Sequence, residues 1–438
     1  MKRFWTTLVN IFSIEDLRIK ILNTLGFLLM FRLGSYVVLP GVDPNRLTGN
    51  DGGGFFDLIN TFLGGAWNRA SIFALGIMPY ISASIVIQLL TVAVPHFAKM
   101  QKEGDSGRKK LNQWTRVLTI FITAAQSYAY LRTTINDEAI LNPGFWSFVV
   151  PAMVTIVAGT MFCMWLGERI TDKGIGNGIS MLIMIGIVSR FPVAIFQEMT
   201  TKGLPGALIF IIEILALFFV VVGVIALTQA TRKIPVQYAK QVVGNKLYGG
   251  KRDFIPLKLN SAGVMPIIFA QALMFIPPMV ANIFRDSEVA SYIGSTFGDF
   301  TTIEYNLLFA VLILLFTFFY TAITVPSNDM ADNLKRNGGF IPGIKPGKPT
   351  AEFIDTVLSR ITLPGALFLA GIAILPAFAV KAGISQNFAQ FYGGTSLLIM
   401  VGVILDTLQQ IESHLLMRHY EGMMKSGKVK GRSQFAAA

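Results

Sequence analysis

Ten stretches of this sequence are each long and apolar enough to cross a lipid bilayer: about 19–39, 72–95, 117–135, 145–167, 178–198, 206–228, 263–284, 306–325, 361–380 and 394–413. A hydrocarbon core about 30 Å thick takes about 20 helical residues. Inside it every backbone N–H and C=O must be satisfied by the protein itself, which leaves only helices and closed barrels. Barrel strands are about ten residues of strict alternation, whereas these stretches are longer and continuously apolar. The chain therefore reads as an all-α polytopic membrane protein. Its 438 residues, 53% hydrophobic and 14% charged with a mean hydropathy of +0.57, carry too little polar surface for a soluble globule.

The net charge of +12 could suggest a nucleic-acid partner, but its distribution points to topology instead. Most of the 37 Lys and Arg fall in segments 1–20, 96–116, 168–177, 229–260, 327–360 and 415–438, which alternate with the spans so as to share one side. The positive-inside rule makes that side cytoplasmic, with both termini there. Loops 229–260 and 327–360 are longer than a reversal needs, which leaves room for docking. Residues 1–18 lack an apolar run ending in a small-residue cleavage site and read as an interfacial helix, with Phe4, Leu8, Ile11 and Phe12 on one face. Cys163 is the only cysteine, so no intramolecular disulfide can form.

Motifs for chemistry are lacking. His96, His414 and His419 form no metal-binding pattern, and neither a nucleophile elbow nor a Walker A sequence is present. The glycines of "GERITDKGIGNG" at 167–178 imitate part of a nucleotide fingerprint, but they follow a membrane span rather than a strand and read as a tight cytoplasmic turn. Cofactors and metals are not expected. A secondary transporter would keep ionisable groups in its spans; of the candidates, Glu213 reads as a carboxylate facing a neighbouring helix or a wet crevice, and Arg32 and Asp406 could as easily be structural partners as transport groups. A transporter of a small solute remains the alternative reading. An intramembrane enzyme, which would need a metal or an acidic pair, is a weaker one.

Five segments are more specific: "RASIFALGIMPYISASIVIQLL" (69–90), "EGDSGRKKLNQWTR" (103–116), "MWLGERITDKGIGNGIS" (164–180), "ADNLKRNGGFIPGIKPGKPTAEFID" (331–355) and "FYGGTSLLIMVGVILD" (391–406). In this order they resemble the bacterial SecY family, central subunits of a protein-conducting channel, and the likeness runs from about residue 18 to about 430. The resemblance implies ten spans in two pseudo-symmetric halves, 1–200 and 201–438, hinged near "TTKGLP" at 200–205. It implies a non-enzymatic channel in the bacterial plasma membrane that passes unfolded chains and releases hydrophobic segments sideways.

The same resemblance assigns a pore ring to Ile77, Ile81, Ile179, Ile183, Ile268 and Ile404. A narrow apolar constriction sheds water yet yields to a passing chain. It also assigns a plug helix at about 55–67, carrying Phe55, Phe56, Leu58, Ile59, Phe62 and Leu63, with freedom to move from Gly52–Gly54 and from Gly64 and Gly65. A lateral gate would involve Thr91, Gln126 and Gln271, whose polar groups serve either as interhelical glue or as a seam weak enough to open. Pro79 and Pro266 each remove a helical hydrogen bond, as kinks at that seam or as ordinary membrane prolines. The docking loops carry Lys246, Lys251 and Arg252, and Lys335, Arg336, Lys345 and Lys348. The "PGIKPG" tip has Lys345 where SecY proteins usually have arginine, which keeps the charge and loses the bidentate fork. Implied partners are the SecE and SecG membrane subunits, the SecA ATPase, the ribosome, a membrane insertase and accessory export subunits, signal peptides and nascent chains, and lipids.

Overall fold

A computed structural model describes residues 14–47, 60–141, 144–203, 205–238, 241–243, 246–248, 252–274, 277 and 288–425. The chain divides into two compact units. One comprises residues 1–52, 56–192 and 403–438; the other, residues 53–55 and 193–402.

The first unit opens with α1 (Glu15–Gly34), whose first turn holds Glu15 and Asp16 and whose last turn holds Arg32, charges that oppose the helix dipole at both ends. Residues 63–77, part of which was expected to be helical, run through turns and bends. Helix α2 (Met78–Ala93) begins only at Met78. Pro79 therefore sits in its first turn, where a missing N–H costs nothing, and is not a kink. The bend comes at Pro95, which starts α3 (Pro95–Lys102); the axis turns by 104° there. Next come α4 (Asp105–Thr134), α5 (Val150–Lys173), entered through a π-turn at Phe145–Val149, and α6 (Gly178–Lys202). A run of small hydroxyls on α4, Thr115, Thr119, Thr123 and Ser127, is buried and returns its hydrogen bonds to the helix backbone. Helices can thus approach α4 closely without leaving a polar group unmet.

The second unit takes up the end of α6 and continues with α7 (Ala207–Gln229), the most apolar and most exposed of the long helices. The loop expected at 229–260 is folded. Strand β1 (Thr231–Tyr238) pairs antiparallel with β4 (Arg252–Lys258), from Thr231 opposite Lys258 to Gln237 opposite Arg252. Between them lies the short hairpin β2 (Gln241–Val243) and β3 (Lys246–Tyr248). Helices α8 (Met265–Met274), α9 (Glu288–Gly298), α10 (Ile303–Thr324) and α11 (Ser327–Arg336) follow. Pro266 is the second residue of α8, again a helix start rather than a kink. Strand β5 (Gly339–Phe340) adds to the free edge of β1, giving a sheet of order β4-β1-β5. Helix α12 (Lys348–Lys381) is 34 residues long, so residues 348–360 of the expected loop are its first turns. The short α13 (Gln386–Ala389) and the long α14 (Gly394–Lys425) complete the chain.

The all-α expectation is thus corrected to mostly helical with a small sheet. The sheet has its own core, in which Ile234, Val236 and Leu257 pack with Leu334, Ile341, Ile354 and Leu358. Among the described residues, six helices are long and apolar enough to cross a membrane, and the bent pair α2–α3 would make a seventh.

Candidate functional site

The site is a turn lodged among helices of the first unit. The helical turn described at residues 60–62 ends at Phe62 because Gly64 (φ +61°) and Gly65 (φ +90°) take left-handed conformations that end a helix. The expected helix to Trp67 is therefore shorter, and residues 63–70 are turns. The chain beyond Gly65 is firmly held. The Tyr130 hydroxyl of α4 donates to the Trp67 carbonyl at 2.6 Å, and the two rings meet edge to face at 4.5 Å. The Leu39 N–H donates to the Ala70 carbonyl and the Ile72 N–H to the Val37 carbonyl, so the chain leaves the turn as a short pairing with residues 37–39.

Phe62 and Leu63 are buried and point into a small apolar cavity lined also by Phe31, Ile77, Met78, Leu182 and Ile183. Two of the expected ring residues, Ile77 and Ile183, are thereby brought against two expected plug residues. The lining offers water no partner among its side chains, so the cavity favours staying dry. On α6, Gly186 lets the backbones touch: a Cβ there would overlap the Phe62 carbonyl. The other ring candidates do not line this cavity. Ile81 is buried on α2, and Ile179 is half-buried near Gly167 of α5. Ile268 is half-buried on α8, in the second unit, and Ile404 is 44% exposed on α14. Phe55, Phe56, Leu58 and Ile59 lie outside the described residues.

Of the gate candidates, Thr91 is buried and donates to the Gln88 carbonyl at 2.6 Å, a bond within its own helix. Gln126 is half-buried on α4. Gln271 is buried on α8 beside the Tyr305 hydroxyl of α10. Of the cations expected to serve in docking, Arg252, Lys335, Arg336, Lys345 and Lys348 are exposed. Lys345 is fixed at its main chain, where its carbonyl accepts from the Thr350 hydroxyl at 2.9 Å. Lys246 lies on β3, and Lys251 lies outside the described residues.

Two polar constellations escape sequence reasoning. In the first unit, Arg32 and Arg69 share the Tyr36 ring, their guanidinium carbons 5.6 and 4.2 Å from its centre. In the second, Glu213 is not a lone span carboxylate. The Lys202 ammonium binds both Glu213 and Glu198, the latter at 3.0 Å. Glu198 also accepts from the Ser385 N–H at 3.1 Å, and the Tyr392 hydroxyl donates to the Glu213 carbonyl. The i, i+4 spacing of Glu198 and Lys202 was the available signal. Among the described residues no His, Cys, Asp and Glu group could hold a metal.

Comparison with known proteins gives a consistent result. The family model for SecY matches residues 71–408. The Halalkalibacterium halodurans protein translocase subunit SecY is 45% identical over 431 residues, covering 96% of this chain and 99% of that protein. The Streptomyces coelicolor protein of the same name is 42% identical over 441 residues, covering 96% and 100%. Among solved structures, a protein-conducting channel superposes with a TM-score of 0.63 at 15% identity, covering 90% of this chain and 92% of that one. Sec61 from a canine ribosome-channel complex of the endoplasmic reticulum superposes at 0.59 and 14% identity, covering 90% and 92%.

Proposed function

The chain belongs to the SecY family of protein translocase subunits, and on that basis we propose how its residues work as a channel. It is a multi-pass membrane protein and a subunit of a protein-conducting channel rather than an enzyme. It moves unfolded chains across the bacterial plasma membrane and releases hydrophobic segments into the bilayer. Ten spans in two five-helix halves carry this out, with both termini in the cytoplasm. Driving energy comes from outside the chain, from the SecA ATPase or the ribosome, which dock on the exposed cations of the two folded cytoplasmic loops. SecE, SecG, an insertase and accessory export subunits complete the assembly.

The observation that best supports this reading is the burial of Phe62 and Leu63 against Ile77 and Ile183. A polypeptide pore must seal when idle and yield when used, and apolar side chains closing on one another do both without a binding reaction. The segment through Phe62 is the plug, and the six isoleucines form the ring beneath it. Thr91, Gln126 and Gln271 belong to the lateral gate.

Reconstituted vesicles test the function. With SecA and ATP, a preprotein carrying a signal sequence is expected to become protected from external protease. Uptake of a small solute with no preprotein protection would replace the channel by a transporter.

A further inference from the structure

We propose that Arg32 is the latch of the plug: its guanidinium, seated on the Tyr36 ring, holds the Gly64 carbonyl where the plug chain turns, and so sets how readily the idle channel opens. The inference rests on the reading of this segment as the plug.

Arg32 lies in the last turn of α1, inside an apolar stretch where a cation is costly and is retained for a reason. Among the described residues no carboxylate lies within ion-pair distance of it. Its partners are of another kind. Its Nη1 donates to the Gly64 carbonyl at 3.4 Å, and the Tyr36 ring faces the guanidinium. The same ring carries Arg69 at closer range, so two cations share one aromatic partner.

The turn is packed down to its backbone around these cations. A Cβ at Gly64 would overlap the Arg32 guanidinium and lie 3.0 Å from the Ser189 hydroxyl and 3.1 Å from Gly186 Cα. A Cβ at Gly65 would lie 3.1 Å from Arg69 Nη2 and 3.2 Å from Arg190 Nη2. The two glycines therefore do more than permit motion: they leave the space that the guanidiniums occupy.

The chemistry suits a catch that must release. A carboxylate partner would bind Arg32 strongly and would itself carry charge through the membrane when the plug moved. A main-chain carbonyl is a dipole with no charge to carry, and a bond of 3.4 Å is long for its class, so it is weak enough to break when a chain enters. After release, Arg32 keeps its seat on Tyr36 and remains ready to recapture the turn.

The test uses the full channel complex in vesicles, with Arg32→Gln, Arg32→Lys and Tyr36→Leu. Ion leak of the idle channel and export of a precursor with a defective signal sequence are measured, each normalised to the amount of folded complex. Arg32→Gln is expected to raise both by about fivefold, as for loss of one long charge-assisted hydrogen bond. Arg32→Lys keeps a cationic donor and should lie between. Tyr36→Leu, which removes the seat and leaves the donor, should move both readouts in the same direction by less, and it carries the test should Arg32→Gln fail to assemble. In a channel lacking residues 55–65, Arg32→Gln should add nothing. An unchanged leak in Arg32→Gln and Tyr36→Leu, or an equal increase with and without residues 55–65, overturns the latch. If deleting 55–65 alone leaves the leak unchanged, the plug reading fails instead.

Discussion

Gly186 is where the plug reading is most exposed to a single substitution. Its missing side chain lets α6 touch the Phe62 carbonyl, and the N–H of Gly64 lies 3.4 Å from where a Cβ would sit. A larger residue has to displace either the helix or the turn, and overpacking of this kind costs about 1–3 kcal/mol. If the turn gives way, the ratio of closed to open plug falls by a factor of about 5 to 150. Gly186→Val should therefore raise ion leak through the idle channel, and Gly186→Ala should do so by less; a tight channel with valine would mean that the turn is not the movable part. Little of this was legible in the sequence. The isoleucines stand out only through the family resemblance, because any membrane isoleucine looks like any other. Arg32 was visible as an expensive charge, but its partner is a backbone carbonyl, and backbone carbonyls leave no mark in a sequence. Glu213 was visible for the same reason as Arg32, and its partner Lys202 was hidden in a segment read as hinge.

The segment expected to be the hinge is braced at the level of elements. Lys202 ends α6 and Glu213 lies early in α7, so their ion pair closes the short link between two long helices. The second carboxylate, Glu198, extends the brace through Ser385 to the approach to α13. Asn387 adds a bond to Gln197 at 3.0 Å. Glu198 and Glu213 are both buried, and removing their common cation leaves two carboxylates facing one another out of water. Breaking a buried pair by deleting one partner costs about 3–5 kcal/mol. Lys202→Met should lower the thermal unfolding temperature of the complex in detergent clearly, and Glu213→Gln should do so by less because Lys202 keeps Glu198. Equal, negligible effects would show that water reaches the cluster. Helices were the legible elements, since each expected stretch coincides with a described helix over at least part of its length. The strands were not. Ile234 and Val236 alternate with exposed Lys233 and Pro235, but the pattern is short, and Pro235 and Pro256 break the usual strand signature. Of the two readings left open for Pro79 and Pro266, the kink fails, because position within a helix, not presence in a span, decides what a proline does.

For the whole molecule, the question is which loops share a side, and the two units answer it separately. In the first, the Lys20 ammonium meets His414, Asn23 donates to the Lys173 carbonyl, and the Gly176 N–H donates to Gln410. Residues near 20, 175 and 412 are thus at one end of that unit, as the distribution of basic residues requires of three segments expected to share a side. Its other end is marked by the bridge of Val42 with Ile140 and by the Asp43 N–H on the Ala139 carbonyl. In the second unit, β5 from loop 327–360 pairs with β1 from loop 229–260, so an even number of crossings separates them. Charge counting and backbone pairing are independent, since one concerns lysine and arginine and the other hydrogen bonds, and they agree on the parity of the spans. Absolute orientation still rests on charge alone. The single native cysteine, Cys163, is buried, so an introduced thiol can be read without a competing signal. Glu138 and Asn337 are exposed, one at each expected side. In intact cells a membrane-impermeant thiol reagent should label Glu138→Cys and spare Asn337→Cys, which should react only after the membrane is opened. The reverse pattern would place both termini outside and rule out the proposed docking of ribosome and motor on these loops.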